Sequence, residues 1–304
     1  MTRSIRIFQV DAFTTTPFAG NPAGVVLDAE QLSDAEMQAI ARELNNGDTA
    51  FVLPATTADH DLAVRFFTPR KEAPFVGHAT LAVHAVLSRL APKTLRRQSG
   101  RTGIVEVRSL ENERGWAIRQ PPPPLTRTPT PSELAEVLSS LGLRTEQLDA
   151  ECPPRIAGAA STRLLLALRE GAALDAVRPQ LASLATLSAR IGAQGYFLFT
   201  RAARVAGCAT ESRMFCPALG IDEDPVSGNA HAMLAVLLHE QGLLRPEAGR
   251  LRFSGAQGAS VGRPGRVDVE IDCNPDGQPA GVSIAGQAVI VFEAVMALGT
   301  SLRA

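Results

Sequence analysis

Lysine is nearly missing from this 304-residue chain: only Lys71 and Lys93 stand among its 30 basic residues. The bias toward arginine and alanine reads as coding-sequence base composition and not as a binding property. Runs of like charge are also missing. A net charge of -1 and a pI near 6.5 leave no broad basic surface for nucleic acid. The four cysteines, Cys152, Cys208, Cys216 and Cys273, form neither a C-x-x-C pair nor a zinc-ligand spacing. Met1 to Val10 lacks the apolar core of a signal peptide, so reduced thiols and a cytoplasmic location are expected. No apolar run is long enough to span a bilayer, and membrane insertion is not expected. A G-x-G-x-x-G dinucleotide fingerprint is absent, as is the G-x-S-x-G of a serine hydrolase, since Ser227 follows Pro225 and Val226. His84, His231 and His239 make no H-E-x-x-H or other metal pair; they are assigned to helix faces, and no metal site is expected.

What is present is a motif written twice. Arg65, Phe67, Pro69, Pro74, Gly77 and Ala79 are matched 148 to 151 residues later by Arg213, Phe215, Pro217, Pro225, Gly228 and Ala230, with a connector three residues longer in the second copy. Each copy reads as a strand, a turn and a helix that begins at the glycine. The first N–H groups of a helix lack internal partners and carry partial positive charge, so a glycine-opened helix start suits a carboxylate or enolate. One copy alone is more often an ordinary strand-to-helix corner with glycine for packing. Two copies favour a ligand site, with both helix starts aimed into a shared cleft.

The 45% hydrophobic and 20% charged composition suits a globular chain long enough for two domains of about 150 residues each. Strands are expected at 5–13, 24–27, 49–53, 62–68, 95–97, 103–108 and 115–119, with a polar turn at 111–114. Ser33 and Glu36 form a capping box for a helix ending at Asn45 to Gly47. Pro121 to Pro124 is the expected crossing between domains, and Thr130, Pro131 and Glu133 open the next helix. Further strands are expected at 161–168, 195–200, 204–215, 249–254, 266–271, 281–285 and 287–295, with a helix at 179–191. The signature helices are expected at 78–90 and 229–241. Domain one is thus 1–120 with 287–304 returning to it, and domain two is 125–286.

Three side chains near the signatures carry proton chemistry. Asp48, in a turn beside Gly47, is by default a turn residue bonding its own backbone. His78 follows the first helix-opening glycine, where a neutral imidazole faces a ligand or else lines a cleft wall. Asp224 precedes Pro225, where the plain reading is a carboxylate complementing the helix dipole. Cys216 is the best thiol candidate, but Val76 denies it a facing partner from the first signature, and a single buried cysteine is usually inert.

Residues 8–24 (FQVDAFTTTPFAGNPAG), 48–52 (DTAFV), 65–81 (RFFTPRKEAPFVGHATL), 223–230 (EDPVSGNA) and 286–293 (GQAVIVFE) together resemble the phenazine-biosynthesis PhzF family of isomerases. The order matches over nearly the full length. The resemblance implies an α/β (α+β) fold of the diaminopimelate epimerase-like type. That fold has two similar domains, each a mixed sheet wrapped around a central helix, with the active site in the cleft between them. It implies a homodimer and a cofactor-independent isomerase or epimerase acting on a small carboxylate-bearing metabolite. By position, the family's acid/base glutamate falls on Asp48, its G-H pair on Gly77 and His78, and the aspartate of its E-D-P on Asp224. Gly77, Ala79, Ser227, Gly228 and Asn229 are expected to contact the substrate. Two departures stand out. Asp48 is one methylene shorter than the family's glutamate, by roughly 1.5 Å, and Asn229 replaces the frequent serine of G-S-A. The rivals are a cysteine-dependent racemase or epimerase on the same fold and a non-catalytic metabolite-binding protein.

Overall fold

The computed structural model describes residues 3–110 and 115–298; the polar turn expected at 111–114 lies outside them. In chain order the elements are β1 (Arg3–Ala12), β2 (Asn21–Val26), α1 (Asp34–Leu44), β3 (Asp48–Pro54), β4 (Leu62–Phe67), β5 (Glu72–Ala73), α2 (Gly77–Leu90), β6 (Leu95–Gly100), β7 (Gly103–Ser109) and β8 (Trp116–Gln120). They continue with β9 (Leu125–Arg127), α3 (Pro131–Leu141), β10 (Arg155–Ala157), β11 (Arg163–Leu168), α4 (Gly171–Ala176), α5 (Leu181–Ile191), β12 (Gly195–Thr200), β13 (Thr210–Cys216) and β14 (Ile221–Asp224). The last are α6 (Gly228–Glu240), β15 (Arg250–Gln257), β16 (Gly265–Cys273), β17 (Pro279–Gly286) and β18 (Ala288–Leu298). They fall into two compact units, residues up to Arg119 together with those from Ala285, and Gln120–Ile284. No helix among the described residues is long and apolar enough to cross a membrane.

Each unit is a mixed sheet with the same order of pairings. In unit 1, β1 lies antiparallel to both β18 and β2, β2 is parallel to β3, β3 antiparallel to β4, and β4 pairs antiparallel with β5 and parallel with β6, which is antiparallel to β7. In unit 2, β10 lies antiparallel to β9 and β11, β11 is parallel to β12, β12 antiparallel to β13, and β13 pairs antiparallel with β14 and parallel with β15, which is antiparallel to β16. The crossover helices agree as well. α1 and α5 are both 11 residues long and both end on a left-handed cap, Asn45 (φ 52°) and Gly192 (φ 71°). Asparagine tolerates that conformation and glycine has no Cβ to hinder it.

The two signature helices are the buried ones. Ala79 to Val86 is buried without interruption in α2, and Ala230 to Ala235 with Leu237 and Leu238 in α6. A helix apolar on all sides is a core element, and each side chain such as Leu81, Val83 or Leu234 contributes about 1.5–3 kcal/mol by leaving water. The amphipathic helices α1 and α3 instead lie on the outside and depend on capping boxes, Ser33 with Glu36 and Thr130 with Glu133.

Two local expectations are corrected. The strand expected from Arg204 begins only at Thr210, because the Glu211 carboxylate folds back to accept from the N–H groups of Arg204 and Val205 and holds 204–209 in turns. Asp48 is the first residue of β3, not a turn residue. Short strands β5, β9, β10 and β14 and the six-residue α4 carry no periodic signal and were not expected.

Candidate active site

The duplicated motif owes its shape to a glutamate that the sequence reading passed over. In unit 1, Arg65 grips Glu72 through two parallel bonds of 2.8 and 3.1 Å, and its guanidinium lies 5.2 Å from the Phe67 ring centre. In unit 2, Arg213 grips Glu223 at 2.9 and 2.8 Å and lies 5.0 Å from the Phe215 ring centre. The guanidinium plane matches a carboxylate bidentately while its face stacks on the aromatic two residues ahead. Each fork ties β4 or β13 to the short strand leading into the helix, and so sets where that helix begins. Both glutamates sit five residues before the helix-opening glycine, a repeat visible in the sequence once the fork is known.

In unit 1 this brings Asp48, at the head of β3, against the first turn of α2. Asp48 Oδ2 lies 3.8 Å from His78 Nε2, and each side chain is 11% exposed. Nε2 is a buried nitrogen with no hydrogen-bond partner. Burial pushes the His78 pKa down to about 4, so at neutral pH the ring is uncharged and the contact is a close approach of a carboxylate and a neutral imidazole, not an ion pair. The N-cap residue Val76 supplies no side-chain bond to the helix start. A Cβ on Gly77 would meet nothing within 4 Å, so packing inside the chain gives no reason for glycine there. Ala79, in the same turn, is fully buried.

In unit 2 the structure gathers Asp224, Ser227, Gly228 and Asn229 at the start of α6. Gln257 braces this turn. Its Nε2 donates to the Asp224 carbonyl at 2.7 Å and its Oε1 accepts from the Ser227 N–H at 3.1 Å. Sequence reasoning missed Gln257, and no local pattern marks it. The helix start is more closed than at α2, because the Ser227 hydroxyl accepts from the Ala230 N–H at 3.3 Å. The anion grip read from the motif is narrower here by that one amide.

The strand registers show which positions correspond. Phe51 faces Arg65 and Leu198 faces Arg213, which makes Asp48 the counterpart of Gly195, and β2 Ala23 the counterpart of β11 Arg163. Ala73 and Asp224 likewise correspond, opposite Phe66 and Met214. Each unit thus carries one carboxylate at a position where the other carries none, Asp48 in unit 1 and Asp224 in unit 2.

His84 and His231 lie on the central helices, and both are buried. His84 Nε2 meets Gln98 Oε1 at 3.0 Å, and the same amide donates to Thr80 Oγ1 at 3.2 Å. His231 Nδ1–H donates to the Ser227 carbonyl at 2.7 Å, as the Thr80 hydroxyl does to Val76 at 2.9 Å. Burial holds both imidazoles near pKa 4. His78, His84 and His231 all bind protons more readily unfolded than folded, so stability is complete above pH 6.5 and falls as pH drops toward 4. Each pH unit crossed weakens the fold by about 1.4 kcal/mol per histidine. The carboxylates held low by arginine partners, Glu72 among them, act only below about pH 4.5, so urea midpoints compared at pH 7 and pH 5 isolate the histidines. Equal midpoints would show that these rings are not buried neutral.

Cys216 is fully buried and its thiol pKa is pushed up to about 12 by that burial, which makes it a neutral thiol and not a nucleophile at pH 7. All four cysteines are free. Among the described residues no three His, Cys, Asp or Glu side chains gather as metal ligands.

Residues 10–294 match the family described as phenazine biosynthesis-like protein, PhzC-PhzF. The chain is 39% identical to the uncharacterized isomerase YddE of Salmonella typhimurium, over 96% of this chain and 98% of that one. It is 31% identical to the trans-2,3-dihydro-3-hydroxyanthranilate isomerase of Pseudomonas aeruginosa, over 86% of this chain and 88% of that one. The crystal structure of a Bacillus anthracis phenazine biosynthesis protein of the PhzF family superposes with a TM-score of 0.86 at 26% identity, covering 97% of this chain and 99% of that one. With a family match over nearly its whole length and curated relatives named as isomerases, this chain belongs to the PhzF family of phenazine biosynthesis-like proteins.

Proposed function

We propose that the protein is a cofactor-independent isomerase that shifts a proton on a small carboxylate-bearing metabolite, with Asp48 as the base and acid. The observation that supports this most is the approach of the Asp48 carboxylate to the neutral His78 ring at a helix start that no side chain caps. The carboxylate removes a proton from a carbon made acidic by a neighbouring carbonyl or double bond. The first amides of α2 are placed to stabilise the negative charge that develops, and His78, neutral and with an unpaired Nε2, is suited to hand on or direct a proton. Asp224 is assigned as a second acid/base group. Ser227, Gly228 and Asn229 are assigned as substrate contacts, whereas Ala79, fully buried, has no surface to offer one. The Pseudomonas aeruginosa relative's name makes trans-2,3-dihydro-3-hydroxyanthranilate the first compound to try.

The test is deuterium uptake by that compound and related unsaturated carboxylates in deuterated water. Wild-type protein is expected to label a carbon as it moves the double bond or inverts a centre. Gly77→Ala is expected to fold as well as wild type, since its methyl meets no protein atom within 4 Å, and to lose label uptake and turnover by tenfold or more, because the methyl occupies the approach to the helix amides. Full activity in Gly77→Ala would remove the α2 start from the site.

A further inference from the structure

Arg163 is a buried cation with no ion pair among the described residues. It is 7% exposed, its only hydrogen bond runs from Nη1 to the Thr162 carbonyl at 2.8 Å, and its Nε is buried without a partner. The thiol that flanks it at Gly195, Cys216, is neutral and supplies no charge. The other deeply placed arginine of unit 2 differs: Arg213, with its side chain 11% exposed, is forked onto Glu223. An arginine taken out of water without a carboxylate is unfavourable in the free protein, and a guanidinium is shaped to receive one.

Its place in the fold gives this meaning. Arg163 pairs with Gly195 across β11 and β12, as Ala23 pairs with Asp48 in unit 1. Paired residues on parallel strands point to the same face. A Cβ on Gly195 would lie 2.9 Å from Arg163 Cδ and 2.5 Å from Cys216 Sγ. The arginine stem therefore runs through the space that the counterpart of the Asp48 side chain would fill. Unit 1 places a carboxylate at that position, within 3.8 Å of the second residue of its central helix; unit 2 places the stem of an arginine there.

We propose that Arg163 is a carboxylate-binding residue, which takes a carboxylate group of the substrate into unit 2. The inference rests on the proposed function only in calling that carboxylate the substrate's. It explains a buried arginine beside a glycine and a neutral thiol.

Malonate is the probe, titrated at constant ionic strength against chloride and followed by thermal unfolding. Wild type is expected to gain about 2–4 °C once malonate is several-fold above its Kd. Arg163→Met is expected to unfold no earlier than wild type without ligand, since it removes an uncompensated buried charge, and to show no response to malonate. Arg163→Lys, which keeps the charge and loses the fork, is expected to respond weakly and covers the case in which Arg163→Met does not fold. On a substrate that is turned over, Arg163→Met is expected to raise KM by about 10- to 100-fold and to change kcat much less. Malonate protection that is absent in wild type, or equal in wild type and Arg163→Met, overturns the proposal whether or not isomerase activity is found. Malonate protection lost only at Arg163, in a protein with no detectable isomerase activity, keeps the anion site and counts against the proposed function instead.

Discussion

Asp48→Asn is expected to lower isomerase turnover by at least about a hundredfold, the lower end for loss of a general acid/base, in a protein that folds normally. The amide keeps the shape of the carboxylate and carries no charge to desolvate, so the 8% exposed position tolerates it. Asp48→Glu is the more discriminating variant. It restores the length usual in the family and adds roughly 1.5 Å of reach toward His78 Nε2, now 3.8 Å away. A hydrogen bond formed there would raise the His78 pKa from about 4, which NMR titration of the ring would report. Faster turnover of trans-2,3-dihydro-3-hydroxyanthranilate by Asp48→Glu would mark the shorter side chain as an adaptation to a different substrate. Turnover unchanged in Asp48→Asn would take Asp48 out of the mechanism.

The second large effect concerns the two forks. Arg213→Leu is expected to cost about 3–5 kcal/mol, the range for stranding one partner of a buried pair. It leaves Glu223 buried at 13% exposure and removes the donor that serves the carbonyls of Leu174 and Val177 at 3.1 Å each. Arg65→Leu breaks the same motif in unit 1, but Arg65 is 27% exposed and its remaining bond reaches Asp34 at the surface. Water can replace part of what is lost, so about 1–2 kcal/mol is expected. Urea unfolding of the two variants side by side measures the difference. Equal losses would mean that burial does not distinguish the forks.

Much of the architecture was readable from local chemistry. The capping boxes at Ser33 and Thr130 and the glycine helix starts at Gly77 and Gly228 each depend on residues within a few positions, and the structure has all four. The pairing of Asp48 with His78 joins residues 30 apart, and only the family resemblance placed both in one site. What escaped was non-local. Glu72 and Glu223 look like solvated connector charges until an arginine of the neighbouring strand is seen to grip them. Gln257 braces a turn 30 residues away, and Arg163 is unusual only because of what does not surround it. His84 and His231 sit in apolar runs where one polar residue gives no sign of its depth; both lie inside the core, His84 bonded to Gln98 and His231 bonded through Nδ1 to the Ser227 carbonyl, with its Nε2 unpartnered.

The contrast between Thr80 and His231 bears on how a duplicated chain diverges. Across the paired strands Gln98 corresponds to Gly255, opposite Leu62 and Thr210 respectively. In one copy a small hydroxyl and a long amide share the space. In the other a large ring takes nearly all of it, and even a methyl on Gly255 would come within 2.5 Å of the imidazole. These are two solutions to one packing problem, and their parts do not mix. Starting from a threonine and glutamine ancestor, histidine on the helix is overpacked until the strand residue has shrunk, whereas glycine on the strand first leaves only a cavity. From that pair, the change on the strand can come first and the change on the helix cannot. An exchange between the two halves is therefore tolerated only when it carries helix and strand together, because moving one alone leaves a clash or a cavity.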